Sequence, residues 1–251
     1  MLGDYQWSEQ TCGRLSKWDK LRLLGLLAKA KCMEQSSRMA VSLRLRSVLQ
    51  DAGENWLNLP DSQLVKQTEE EAVALYSAPM LAHCYRTYFF AQLFARYYQL
   101  KVDSELLAVS SLLHDVGLCS PYSEQCSHTG FQIIGARHVQ QRVQQAGYSQ
   151  HKQRRAYEAV SLHLNLYIRP KPQFAEAAVL QRGAILDVIG ANRHLFAPAL
   201  LAWAHRFYAR DGFRADILDT MQTIPHAPHS HAGFLGRCGF AGLAAANPLD
   251  T

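Results

Sequence analysis

The chain has 251 residues, a formal net charge of +5, 48% hydrophobic residues and 19% charged residues. This composition suits one large folded domain, or a core domain with an added segment, and it argues against disorder. Basic residues are scattered, without zinc-finger spacing, an Arg/aromatic stripe or a recognition motif, so nucleic acid is not an expected partner. No stretch approaches the ~18 uninterrupted apolar residues of a membrane span, which excludes a membrane-embedded chain.

The cysteines and the N-terminal sequence indicate the cellular compartment of the protein. The six cysteines include no CxxC pair and are too sparse for a disulfide framework, which predicts reduced thiols in a cytoplasmic protein. The first residues show no basic region followed by an apolar stretch, so a signal peptide is not expected. We therefore expect a small-molecule substrate and neither a nucleic-acid nor a membrane partner, and a homo-oligomer stays open.

The first segment is predicted to be helical. Leucines surrounded by basic residues run from Lys17 to about Leu49, and Asp51-Ala-Gly53 then breaks the pattern. This predicts one or two helices that pack onto the main domain or form part of a subunit contact. Because the segment contains no histidine, we expect no metal ligand in it.

The next strong signal is an aromatic helix. After a helix that starts at Leu59-Pro60-Asp61-Ser62, Pro79 opens a second one, predicted to run from Met80 to about Leu100. A helix that is apolar on most sides is a central one. His83 and Arg86 lie three residues apart and so share a face. A single buried histidine is more often structural than a ligand, but a buried arginine needs an anionic partner.

The stretch from Glu105 to Gly117 places two polar residues in an apolar helix. His114 and Asp115 lie side by side near its predicted C-terminus, before the stop at Gly117. Burying a carboxylate beside an imidazole is costly unless something compensates, and a divalent metal binds both groups. The alternative is a capping histidine and a solvated aspartate.

Three further helices follow. One runs from about Phe131 to Gln145 and carries the small pair Gly135-Ala136, which would let another helix approach closely. Another, from Lys152 to about Leu166, contains His163. The third, from Ala175 to about Gly190, surrounds Asp187 with apolar residues. If buried, Asp187 needs a partner from elsewhere in the fold; the alternative is a solvated aspartate.

The rest of the chain carries weaker signals. Helices are predicted over 196–211 and 213–221, and residues 224–251 are expected to be a loop-like tail. His226, His229 and His231 resemble a metal-binding cluster by composition, but no carboxylate or cysteine is suitably placed near them, so we expect a solvated tail. No strand-period alternation, repeat or phosphate loop is found, so we predict an all-α fold with a helical segment (1–58), a main domain (59–223) and the tail.

His83, His114, Asp115 and Asp187 together supply two imidazoles and two carboxylates, enough for one divalent ion with open positions. Their order, with the blocks around them, resembles the HD superfamily of metal-dependent hydrolases. Five blocks carry the resemblance, which covers roughly Leu59 to Phe213: Pro79-Met-Leu-Ala-His83-Cys-Tyr-Arg86, Leu112-Leu-His114-Asp115-Val-Gly, Phe131-Gln-Ile-Ile-Gly135-Ala136, Glu158-Ala-Val-Ser-Leu-His163 and Gly183-Ala-Ile-Leu-Asp187-Val-Ile-Gly190. Within the superfamily the pattern looks most like the cyanamide hydratase-like group.

The resemblance implies an HD-domain helical bundle in which these four residues bind one divalent metal. Zn²⁺ suits the ligand set best, and Fe, Mn and Ni are compatible with it. Superfamily members with two metals often carry a histidine where this chain has Phe131, so a single metal is expected. The hydratase-like group often has a glutamate where this chain has Gln132, which leaves the substrate open.

The implied activity is addition of a metal-bound water or hydroxide to a small substrate, such as hydration of cyanamide to urea. Asp115, His163 and Arg86 are the candidate catalytic residues: His163 for proton transfer or a substrate hydrogen bond, Arg86 for orienting a ligand carboxylate. A structural role for His163 stays open, as does a substrate phosphate for Arg86.

Two alternative functions remain. The first is a phosphohydrolase acting on nucleotides or other phosphate esters, favoured if Lys101, Arg137 or Arg169 converge on the pocket. The second is a non-catalytic helical module whose metal only holds helices together, favoured by a closed ligand shell.

Overall fold

The computed structural model describes residues 1–53 and 56–250, and these form an all-α fold, as predicted. No strand is present among them; a single parallel bridge joins Leu49 to Phe196. The α-helices are, in chain order, α1 (Tyr5–Thr11), α2 (Lys17–Ser42), α3 (Gln63–Leu75), α4 (Ala78–Tyr97), α5 (Ser104–Leu113), α6 (Phe131–Gln145), α7 (Gln150–Ser161), α8 (Ala175–Ile189), α9 (Pro198–Phe207), α10 (Phe213–Thr223), α11 (His231–Arg237) and α12 (Phe240–Ala245). Short 3-10 turns follow α5 and precede α6, α8 and α9.

The core is built around α4, which is buried on most sides as its aromatic sequence predicts. Its start is set by Ser77, whose side chain accepts from the Met80 N–H, with Pro79 in the first turn. The closest neighbour of α4 is α8, and the approach depends on Gly183: a Cβ there would lie 2.5 Å from the Thr87 carbonyl oxygen and 2.9 Å from the Ala91 nitrogen. α4 and α8 therefore pack backbone against backbone.

α6 packs on α7 and on the turn after α5, through the small residues noted in the sequence. A Cβ on Gly135 would lie 2.9 Å from the His114 carbonyl oxygen. A Cβ on Gly117 would lie 2.3 Å from the Phe131 carbonyl oxygen, so this glycine lets the start of α6 approach the end of α5. Both contacts bring α6 directly beside the His114–Asp115 pair.

The N-terminal residues pack on the end of α7. The Ser161 hydroxyl donates to the Gly3 carbonyl at 2.7 Å and the Asn165 amide donates to the Leu2 carbonyl at 2.8 Å. α2, by contrast, buries only Leu23 among its apolar residues. None of the helices in the described ranges is both long and apolar enough to cross a membrane.

Two secondary-structure predictions were wrong. The tail after Ile224 was expected to be a solvated loop, but it contains α11 and α12, whose Ala232, Phe234 and Ala244 are buried. The short apolar runs of this segment lie among glycines and prolines. α12 packs on α8 and α10, α11 packs on α12, and these contacts stabilise the two short helices. α7 ends at Ser161, so His163 lies beyond it instead of within it; its backbone N–H bonds to the Val160 carbonyl in a tighter turn. The division into three domains stays a prediction.

Candidate metal centre

Four elements bring the predicted site residues together. His83 comes from the first half of α4, and His114 and Asp115 follow the last residue of α5. His163 follows α7, and Asp187 comes from the last turn of α8. All five side chains are buried. Separate apolar helices thus deliver imidazoles and carboxylates to one place, as their sequence contexts suggested.

The three histidines are oriented in the same way. The Nδ1 of His114 lies 2.7 Å from the Ser111 carbonyl oxygen, and the Nδ1 of His163 lies 2.6 Å from the Val160 carbonyl oxygen. The Nδ1 of His83 lies 2.7 Å from Asp187 Oδ2. Because each partner is an acceptor, the tautomer that fits each ring carries its proton on Nδ1 and its lone pair on Nε2.

Two of these lone pairs converge with a carboxylate oxygen. His83 Nε2 lies 3.2 Å from His114 Nε2, and Asp115 Oδ2 lies 3.3 Å from His114 Nε2 and 3.6 Å from His83 Nε2. Among the described residues, these three form the only group of three or more histidine, cysteine, aspartate or glutamate side chains whose ligand atoms lie close enough together to share one ion.

These atoms fit a divalent cation. Ligand atoms bound at 2.0–2.2 Å in a tetrahedron lie about 3.3–3.6 Å apart, which matches the observed separations. Burial lowers the pKa of His114 to about 4, although Asp115 raises it, so the His114 ring keeps the lone pair on its Nε2 at neutral pH. Two facing lone pairs and a carboxylate repel one another unless a cation lies between them. A set of two nitrogens and one oxygen is one that Zn²⁺ and similar ions bind.

Asp115 is the ionised member of the group. Burial alone raises the pKa of a carboxyl group, but the imidazoles of His114, His163 and His83 outweigh this and hold the pKa of Asp115 well below its usual range. Its other oxygen, Oδ1, lies 3.5 Å from His163 Nε2. Asp115 therefore faces the two histidines with one oxygen and His163 with the other.

Asp187 lies behind His83, not among the three converging atoms. Arg86 donates to it through Nε at 2.8 Å and Nη2 at 2.9 Å, and Arg210 Nη1 donates at 2.6 Å. Burial raises its pKa, but Arg86, His83 and Arg210 hold the pKa far below the usual range of a carboxyl group. The assignment of Asp187 as a ligand stays a prediction; in the structure it orients His83.

Arg86 has the anionic partner that its sequence context required. It is completely buried, forms a two-point pair with Asp187 and donates from Nη1 to the Ala209 carbonyl at 2.6 Å. It does not line the cavity described below. Of the two roles left open, this geometry supports orientation of a carboxylate, and the carboxylate is that of Asp187.

A cavity of about 150 Å³ opens onto the metal-binding atoms. His83, His114, Asp115 and His163 form one end of it. The remaining wall is formed by apolar side chains and the thiol of Cys238. Lys101, Arg137 and Arg169 are not part of this wall, and Arg137 instead pairs with Glu9 at the surface. The described residues therefore supply no cationic side chain for a phosphate.

The histidines of the tail do not form a cluster, and the expectation that they are solvated was wrong for two of them. His229 lies at the surface beside Lys20, whereas His226 and His231 are half-buried and buried. His231 Nδ1 lies 3.3 Å from the amide of Gln132, and its Nε2 has no hydrogen-bond partner. Composition did not reveal this separation, because it depends on how α11 packs on α1 and α6.

Two residues near the site were missed from the sequence. Arg210 donates to both a side-chain oxygen and the backbone carbonyl of Asp187, and also pairs with Asp250. The Asn247 side chain donates to the same carbonyl at 2.7 Å. Neither lies in an apolar helical context, and that context was the only signal available for finding buried polar groups.

Helical packing and converging buried imidazole and carboxylate groups define an all-α protein with a candidate metal site. Residues 80–189 match the family model of the HD domain, and this segment contains His83, His114, Asp115, His163 and Asp187. Over these residues the chain is similar to HD domains, a family whose members are generally metal-dependent hydrolases. A comparison with curated proteins found no match to the chain.

Proposed function

We propose that this protein is a metal-dependent enzyme that adds water to a small uncharged substrate, in the manner of the cyanamide hydratase-like group. The observation that carries the proposal is the convergence of His83, His114 and Asp115 at the end of a cavity that is otherwise apolar. A nitrile such as cyanamide is the most concrete substrate, with urea as the corresponding product.

Each residue has a distinct part in this proposal. His83, His114 and Asp115 hold the ion, with Asp187 as the fourth candidate ligand. A divalent ion in such a site supplies Lewis acidity and makes water a nucleophile near neutral pH. His163 lines the cavity, and its Nε2 lies 3.5 Å from Asp115 Oδ1. At that atom it accepts a proton from water and returns it to the substrate nitrogen. Arg86 positions Asp187, and through it His83.

The alternative is a phosphohydrolase acting on nucleotides or other phosphate esters. The HD-domain match favours it, since the superfamily includes such enzymes. The charges of the site favour it less: Asp115 is ionised, and no lysine or arginine among the described residues lines the cavity. A phosphate would enter beside a carboxylate without a cationic side chain to balance it. A purely structural metal is also less favoured, because the donors face a cavity.

Metal content and thermal stability test the site itself. Purified protein is expected to contain close to one divalent ion per chain, and a chelator is expected to lower Tm, because an ion that binds only the folded state stabilises it by about 2.7 kcal/mol at one hundred times Kd. His114→Ala should abolish the metal-dependent shift in Tm, while His151→Ala, at an exposed position in α7, should retain it. An unchanged metal content in His114→Ala would contradict the assignment.

A substrate screen then tests the reaction. Cyanamide and other nitriles, nucleotides and a generic phosphate ester are incubated with metal-loaded protein, and urea or amide and phosphate are measured. Formation of urea or amide, lost in His114→Ala, is the expected result. Release of phosphate without nitrile hydration would establish the alternative and reject the hydratase proposal.

A further inference from the structure

The cavity has two chemically different ends. Its polar end consists of His83, His114, Asp115 and His163, all within the segment that matches the HD domain. Its other walls are almost entirely aliphatic and aromatic, and Cys238 contributes the one further polar group among the described lining residues. Such a division requires a ligand with one polar, reactive end and one apolar end.

Much of the apolar wall comes from outside the matched segment. α2 contributes Leu27, α10 contributes Ile217 and Met221, and the two tail helices contribute Leu235 and Phe240, among others. Leu243 of α12 also lines the cavity and is 42% exposed, so this part of the wall borders solvent. The segment that matches the HD domain thus supplies the reactive groups, and parts of the chain outside it help to shape the space for the substrate.

Size limits the ligand further. A dry apolar cavity of about 150 Å³ accommodates benzene, or about six carbon atoms. Cyanamide has three non-hydrogen atoms, so it would leave most of the apolar wall without contacts. A nucleotide would exceed the space and would place charged phosphates against aliphatic side chains, which is costly.

From this geometry we propose that the natural substrate is an uncharged molecule with a short aliphatic or aromatic substituent of about four to six carbon atoms. The reactive group lies against His114 and His163, and the substituent lies against Leu235, Phe240 and Met221. This proposal rests on the proposed function for the identity of the reactive group, a nitrile, but it rests on the cavity alone for the apolar substituent.

A homologous series of nitriles tests the substituent. Binding to the full-length, metal-loaded protein is measured by ligand-observed NMR for straight-chain nitriles from two to eight carbons, with alkylammonium ions of equal length as charged counterparts. Kd should tighten by about fourfold for each added methylene, up to about six carbons, because each buried methylene contributes about 0.8 kcal/mol. The ammonium ions should bind at least tenfold more weakly than the nitriles of equal length.

Two variants change the volume of the cavity in opposite directions. Ala232→Leu on α11 adds three carbon atoms to the wall, so the length that binds best should shorten by two or three carbons. Leu235→Ala removes three carbon atoms, so the best length should increase. Ala245→Leu, at an exposed position in α12, is the matched control and should bind like the parent protein. Because the two variants predict opposite shifts, general loss of folding cannot imitate the result.

Turnover is measured separately, so that the two proposals fail in different ways. Length-dependent binding without hydration of any nitrile would reject the proposed reaction and retain the apolar substituent. Hydration of cyanamide, with a Kd that is independent of chain length and unchanged in Ala232→Leu and Leu235→Ala, would retain the reaction and reject the substituent. Equal affinity for nitriles and alkylammonium ions of the same length would also reject the proposed uncharged, apolar substrate.

Discussion

His83 connects the two halves of the site. Its Nε2 faces His114 and Asp115, its Nδ1 bonds to Asp187, and its ring stacks on Phe213 with centroids 4.6 Å apart. The ring therefore cannot rotate without losing a buried hydrogen bond and an aromatic contact. An imidazole held in this way presents its lone pair in a fixed direction, which is the preorganisation that a metal site requires.

Asp187 should be needed for folding even without metal. It pairs with Arg86, which is completely buried, and with Arg210, which also pairs with Asp250. Asp187→Asn retains the shape but leaves buried positive charge uncompensated, so the free energy of unfolding of the chelator-treated protein should fall by about 3–5 kcal/mol. Denaturant titration measures this value. Asp219→Asn, at an exposed position in α10, should change it by no more than about 0.5 kcal/mol.

The same variant separates the two roles considered for Asp187. If Asp187 acts only through His83, affinity for Zn²⁺ should fall about 10–100-fold, the range typical of a residue that orients a ligand. A larger loss would support direct ligation. A variant that is as stable as the parent protein without metal would contradict the ion-pair argument.

At the scale of elements, the site depends on how closely α4 and α8 approach. Gly183 lies in α8 one turn before Asp187. In α4, His83 lies one turn before Thr87, and Arg86 directly precedes Thr87. The two helices touch at Gly183, so their distance determines whether Asp187 reaches His83 and Arg86. A small residue at position 183 is therefore required for the contacts of Asp187 with His83 and Arg86, and not only for the packing of the core.

Gly183→Ala should therefore destabilise the protein although alanine is the better helix former. Its Cβ would lie 2.5 Å from the Thr87 carbonyl oxygen, and backbone atoms cannot move aside as a flexible side chain can. We expect a loss of about 1–3 kcal/mol in the free energy of unfolding. Gly25→Ala in α2 is the control: nothing lies within 4 Å of its Cβ, so it should be neutral or stabilising by up to about 1 kcal/mol. Equal effects of the two substitutions would contradict this account of the α4–α8 packing.

At the scale of the whole molecule, segments at both ends of the chain fold onto the central helices. α1 is held by Glu9, which accepts from Tyr157 OH in α7 at 2.7 Å and from Arg137 Nε in α6 at 3.0 Å. The last described residues return to the site, where Asp250 pairs with Arg210 and Asn247 bonds to the Asp187 carbonyl. The ends therefore stabilise and cover the segment that carries the chemistry.

The contribution of Glu9 should depend on pH. Burial raises its pKa, but the hydrogen bonds from Arg137 and Tyr157 lower it below the usual value of 4.5. A carboxylate with a lowered pKa stabilises the folded state above its unfolded pKa, and this stabilisation is lost as the pH falls through the folded pKa. Glu9→Gln should thus lower Tm by about 2–4 °C at pH 7.

Thermal unfolding of the parent protein and Glu9→Gln from pH 3 to pH 8 checks this prediction. The difference in Tm should be constant above about pH 5 and should shrink below pH 4.5. A difference that persists unchanged at pH 3 would mean that the Glu9 carboxylate is not the group responsible.

The sequence alone determined the fold class and the residues that meet at the site. Helical periodicity is a local property, and a buried polar residue within an apolar helix is visible without a structure, because burying it requires a partner. This reasoning singled out His83, His114, Asp115 and Asp187, and their order gave the resemblance to the HD domain, whose family model matches residues 80–189.

Only the tertiary structure decided how these residues are connected and what surrounds them. Asp187 bonds to His83, Arg86 and Arg210, and two short tail helices form part of the apolar wall of the cavity. These features depend on contacts between residues far apart in the chain, and such contacts leave no periodic signal in the sequence. The short tail helices in particular are stable only against the surface on which they pack.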